Sequence, residues 1–156
     1  MIKRLFVQVV QSITAEESAH ESGDDRDAAI RMATAVLMLD VARADHVFEE
    51  TEFDRALQLI KAHFDLQPEQ AAQLVNSASD QAEDIVSLHE FTDLLHAHLS
   101  DAEKARVVAL LWQIAYADGR LDKYEDSLVL KISDLLYVSR GLVMRLKHDA
   151  DIAVRG

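Results

Sequence analysis

Six carboxylates carry the most conspicuous chemistry in this chain. Asp45, Glu49 and Glu52 recur in type and spacing as Asp118, Asp122 and Glu125. Asp122 and Glu125 stand three residues apart and share a helix face, while Asp118 falls at the C-terminal end of the preceding helix, beside its free carbonyls. Carboxylate and carbonyl oxygens are the donors that a hard divalent cation prefers, and Ca²⁺, which takes about 6–8 oxygens, is the first candidate. One copy offers three carboxylates, so waters or the second copy must complete the shell. The spacing is not that of an EF-hand, because Ala56 and Val129 occupy the position of the closing bidentate glutamate. A structural role competes with the chemical one. Asp122-x-x-Glu125 also reads as a helix N-cap with its capping-box acid, worth about 1 kcal/mol. The positive end of a helix welcomes an acid but opposes a nearby cation.

Other reactive side chains give weaker patterns. His89, Asp93 and His96 lie on one helix face, with His98 off it, and two imidazoles with a carboxylate are able to hold Zn²⁺ or serve a hydrolase. The pattern is not His-Glu-x-x-His and supplies no water-activating base, so a solvated helix face is the plainer reading. Trp112 and Tyr116 fall one turn apart on an apolar face, which makes them core residues first. No cysteine is present, which removes thiolate metal sites and thiol catalysis. No glycine-rich phosphate loop and no nucleophile motif occurs. The expectation is a non-enzymatic protein without catalytic residues or an organic cofactor.

The elements that must position these groups are helices. Of 156 residues, 49% are apolar, enough for a core, and only four Gly and one Pro punctuate the chain. No stretch alternates convincingly enough for a strand. The run from Ala28 to Leu39 is apolar almost all round, as in a central buried helix. A second helix is predicted from about Glu49 to Phe64, and Pro68 suits the first turn of a third. Ser87 with Glu90 and Ser100 with Glu103 form capping boxes ahead of two more. Another spans about Asp122 to Leu136, and Ser139 caps a last one ending near His148. His20 to Asp25 reads as a linker. Asp40 stands inside the apolar run and requires Arg43 or a backbone partner. The fold class is therefore all-α, a duplicated helical-hairpin bundle of about seven helices preceded by an N-terminal amphipathic helix. The division is 1–22 for that helix, 23–150 for the domain and 151–156 for a tail.

The bundle contains an internal repeat. Residues 36–64 lay over 109–137: an apolar helix ends in Ala-x-Ala-Asp, a turn follows, then an apolar residue, an acid and another acid three further on. Both copies continue into an amphipathic helix closing on an aromatic, Phe64 and Tyr137. Ala117-Asp118-Gly119 with Glu125, Ala44-Asp45-His46 with Glu52, and Leu88-His89-Glu90-Phe91-Thr92 between them resemble the TerB-like tellurite-resistance family. The resemblance extends over roughly residues 25–147, with Trp112 and the tail Asp134-Leu135-Leu136-Tyr137-Val138-Ser139 adding specificity. It implies an all-helical duplicated fold, a divalent-cation site built from acidic residues, and a bacterial stress context with membrane-associated partners. The first copy departs from the pattern, with His46 where the family has Gly. A glycine takes positive φ freely and a histidine does so at a cost.

Charge and hydropathy narrow the partners. With 28 Asp and Glu against 16 Lys and Arg, the net charge of −12 repels phosphate backbones, and the basic residues form no dense run, so nucleic-acid binding is not expected. Ile2, Leu5, Phe6, Val9, Val10 and Ile13 recur at helical spacing. This segment is expected to pack on the domain or on a second copy as a homo-oligomer, with interfacial membrane attachment through Lys3 and Arg4 as the alternative. No segment approaches the ~18–20 apolar residues of a transmembrane helix. The expected location is cytoplasmic, or peripheral to the inner membrane. A metal-free adaptor, docking protein partners through its acidic surface and N-terminal helix, is the rival reading.

Overall fold

A helix without a polar face must be covered on every side, and the fold is arranged to do this. The computed structural model describes residues 22–44, 50–83, 88–117 and 121–155. They form seven helices and no strand: α1 (Ser22–Ala42), α2 (Glu50–Phe64), α3 (Pro68–Glu83), α4 (His89–His98), α5 (Asp101–Ala115), α6 (Lys123–Leu135) and α7 (Arg140–Arg155). Ala33, Ala35, Val36, Leu37, Met38 and Leu39 of α1 are fully buried. Thr34 among them satisfies its hydroxyl by donating to the Ile30 carbonyl, 2.8 Å away. Helices α2, α3, α4, α5 and α6 all pack against α1, and α7 covers α5 and α6. The expected all-α class and central helix are thus both present.

Local signals set most of the helix ends. Ser100 accepts from the Glu103 amide at 3.2 Å while Glu103 accepts from the Ser100 amide at 2.9 Å, the reciprocal box expected there. The Ser139 hydroxyl accepts from the Leu142 amide at 3.4 Å, opening α7. Two expectations need correction, and a third falls on a residue outside the described ones. From Ser22 onward the presumed linker is already helix α1, where Asp25 and Asp27 suit the positive end of the helix. Helix α7 runs to Arg155 rather than ending near His148, because Ala150 is buried against the core and no Gly or Pro interrupts the chain before Gly156. Helix α4 has Leu88 at its N-cap position without a side-chain cap, and Ser87 lies outside the described residues. The N-terminal amphipathic segment, residues 1–21, lies outside them too.

Trp112 links the second half of the bundle. Its ring is fully buried, its Nε1–H donates to the Val143 carbonyl of α7 at 3.1 Å, and Lys147 stands over the ring at 5.4 Å. Lys147 also pairs with Asp126 of α6 at 2.7 Å, so α5, α6 and α7 meet around one indole. Trp112→Phe removes the donor and leaves a void, with an expected loss of about 1–3 kcal/mol in urea unfolding.

Asp40 of α1 carries a cost of burial. Burial pushes its carboxyl above the ordinary range, and the charges of Arg43 and Lys131 offset this only in part. Arg43 is itself held by α3, donating to the Ser79 hydroxyl at 2.6 Å. A carboxyl whose folded pKa is raised favours the fold at low pH and loses that advantage as pH rises through its titration. Asp40→Asn should therefore raise the Tm at pH 7, and the gain should shrink on acidification toward pH 4. Parallel thermal melts across that range check it.

Candidate functional site

The repeat seen in the sequence returns in the backbone bonds that close the first helix of each copy. Helix α1 ends at Ala42 and α5 at the equivalent Ala115, and α2 starts at Glu50 as α6 does at the equivalent Lys123. After α1, the Arg43 amide donates to the Leu39 carbonyl and the Ala44 amide to Val41. After α5, the Tyr116 amide donates to Trp112 and the Ala117 amide to Ile114. The second helix of each copy also stops alike. Asp65 (φ 53°) and Tyr137 (φ 62°) adopt the left-handed conformation, and the amides of Leu66 and Val138 reach back to the carbonyls of Lys61 and Ser133 at 3.0 and 3.1 Å. Both helices therefore close on a left-handed non-glycine residue, but one residue earlier in the second copy, where Tyr137 aligns with Phe64 rather than with Asp65.

Of the six candidate carboxylates, three fall within the described residues. Glu52 and Glu125 occupy equivalent places in the first turns of α2 and α6, and both are buried, at 8% and 3% exposure. Each is engaged in polar or electrostatic contact there. Neighbouring acids differ: Glu50 is exposed and Asp126 pairs with Lys147. Asp122 is the N-cap of α6, its Oδ2 accepting from the amides of Tyr124 at 2.8 Å and Glu125 at 3.4 Å. The capping role is therefore present, and because both bonds fall on Oδ2 the second oxygen stays outside the cap. Asp45, Glu49 and Asp118 lie outside the described residues. Among the described residues no three His, Asp or Glu side chains are grouped closely enough to hold one ion. A divalent cation at either turn would take Oδ1 of Asp122 or the buried Glu52 and Glu125, an all-oxygen set of the kind hard cations accept.

The histidine face does not assemble into a metal or hydrolytic centre. His89, Asp93 and His96 are all exposed along α4. The His96 Nδ1 instead meets the Nζ of Lys104 from α5 at 2.6 Å, and its ring rests on Tyr137 at 4.6 Å between centroids. Lys104 is buried, on the face of α5 it shares with Val107, Val108 and Leu111. Trp112 and Tyr116 are both core, as their spacing implied. A cleft lined by residues of α1, α2 and α5 was not visible in the sequence, since its members come from three helices.

The described residues form a bundle of seven helices with an internal duplication. The family model for tellurite resistance protein TerB matches residues 31–148, and the chain belongs to the TerB family. No curated protein and no solved structure matches the chain.

The capping and charge roles of Asp122 are separable. In metal-free buffer Asp122→Ala should cost about 1 kcal/mol of unfolding free energy, whereas Asp122→Asn, which keeps an acceptor at the cap, should cost a few tenths at most. Chemical denaturation of the two variants beside the parent protein provides the comparison.

Proposed function

We propose that this TerB-family chain is a non-enzymatic module of the tellurite-resistance type that takes a divalent cation, Ca²⁺ first, at its duplicated acidic turns. The observation carrying this reading is the burial of Glu52 and Glu125 at equivalent positions of two otherwise diverged copies. A carboxylate at a helix start is normally solvated, and removing one from water is costly unless something compensates its charge. Keeping both inside is what a site using their oxygens would need. Asp118, Asp122 and Glu125 serve the second turn as direct or water-mediated ligands, and Asp45, Glu49 and Glu52 serve the first. Every side-chain donor is oxygen, which favours Ca²⁺ or Mg²⁺ over the softer metals.

The rival adaptor reading draws support from Tyr124, 54% exposed beside the Asp122 cap, which places an aromatic next to acid on the outer surface. Titration calorimetry separates the two. With Ca²⁺, Mg²⁺ and Zn²⁺ as titrants, the parent protein should show saturable heats for Ca²⁺, weakened tenfold or more in Glu52→Gln/Glu125→Gln. Heats unchanged by that double substitution end the assignment. If partners captured by the parent protein are lost on deleting residues 1–22 but survive chelation, the adaptor reading replaces it.

A further inference from the structure

Helix α3 carries a polar side chain where its inner stripe is otherwise apolar. Ala71, Val75 and Ala78 are fully buried, and one turn further Gln81 is 4% exposed. Nearby Ser79 has its hydroxyl engaged by Arg43, but Gln81 has no hydrogen-bond partner on either amide atom, Oε1 or Nε2. No other buried side chain among the described residues leaves both a donor and an acceptor unpaired. Buried amides are almost always hydrogen-bonded, because an unpaired one forfeits its bonds to water and gains nothing in return.

The same glutamine borders a groove between α1 and α3. Met32, Leu66 and Leu74 supply its apolar wall, and Ser77 and Gln81 its inner polar wall, around a space of about 310 Å³. That volume suits a small organic molecule. Gln70 and Gln73 stand at the exposed edge, and the Gln70 Oε1 already accepts from the Gln67 amide at 3.0 Å. Among the described residues no carboxylate lines the groove. Arg31, the one charged residue on the wall, also borders the cleft between α1, α2 and α5, so no charge belongs to this groove alone.

We propose that this groove binds a small neutral cyclic amide, its ring against Met32, Leu66 and Leu74 and its amide edge on Gln81. A ring amide presents an N–H and a C=O side by side, and Gln81 offers the complement. Its Nε2–H donates to the ligand carbonyl while its Oε1 accepts from the ligand N–H. A charged ligand lacks a dedicated counter-ion here, and a purely apolar one leaves the Gln81 amide unpaired. The site rests on neither the cation nor the adaptor reading of the acidic turns.

The probe is 2-pyridone, with N-methyl-2-pyridone as the control that keeps the ring and the carbonyl but loses the N–H. In amide-resolved NMR titrations of the full chain, 2-pyridone should saturate. It should shift the backbone around Met32, Leu66 and Leu74 and the side-chain NH₂ signals of Gln81 together. N-methyl-2-pyridone should bind about tenfold more weakly. Gln81→Met keeps the length of the side chain and removes both unpaired atoms. The variant should therefore fold at least as stably as the parent protein while binding 2-pyridone about tenfold more weakly. Absence of saturable 2-pyridone shifts, shifts confined to other surfaces, or equal binding of the two probes overturns the proposal. Full affinity in Gln81→Met does so as well. Should that variant fail to fold, the Gln81 NH₂ signals of the parent protein decide: movement in step with the groove residues supports the site, and unmoved signals overturn it.

Discussion

One constraint organises this molecule: α1 is apolar on all sides and cannot face water anywhere along its middle. Ala33 to Leu39 contains no residue whose side chain would gain from solvent, and Thr34 closes its hydroxyl on its own helix. Burying such a helix completely needs neighbours on every face, and α2 to α6 provide them. The gain comes from apolar surface removed from water, at about 25 cal/mol per Å². The cost falls on the polar groups carried inward with it. Asp40 is one of these, and the contact of Arg43 with Ser79 of α3 shows how its surroundings are held in place.

Duplication is the economical way to cover a central rod. Each copy consists of an apolar helix, an acidic turn and an amphipathic helix with one buried stripe, and each uses the same turn hydrogen bonds and a left-handed stop. The copies differ where their neighbours differ. In the second, Trp112 joins α5 to α7, and Lys147 lies between the indole and Asp126. In the first, Leu39 holds the equivalent position and is simply buried within α1. What both copies keep is a glutamate drawn inside at the first turn of the second helix.

Much of the helix layout was legible because its signals are local. A capping box involves residues three apart, a proline at a first turn needs no distant partner, and an all-round apolar run has one stable environment. Ser100, Pro68 and the Ala28–Leu39 run each led to the element they mark. The errors arose where a local signal was overruled. Gly23 among polar residues looks like a linker, yet the chain is already helical at Ser22, because the acids that follow suit a helix N-terminus. His148 looked like an end until Ala150 was found packed on the core two residues further on.

The amino-acid order by itself determined the all-helical class, the central helix, the repeat and the acidic residues at each turn, since all of these follow from spacing within one or two helical turns. Tertiary structure alone decided which charges left water. Glu52, Glu125 and Lys104 are buried while Glu50, Glu90 and Asp93 are exposed. It also decided which residues from different helices meet, as His96 of α4 meets Lys104 of α5. The physical reason is that burial and proximity between helices depend on crossing geometry, which no single segment encodes, whereas helix formation and capping depend on the segment itself.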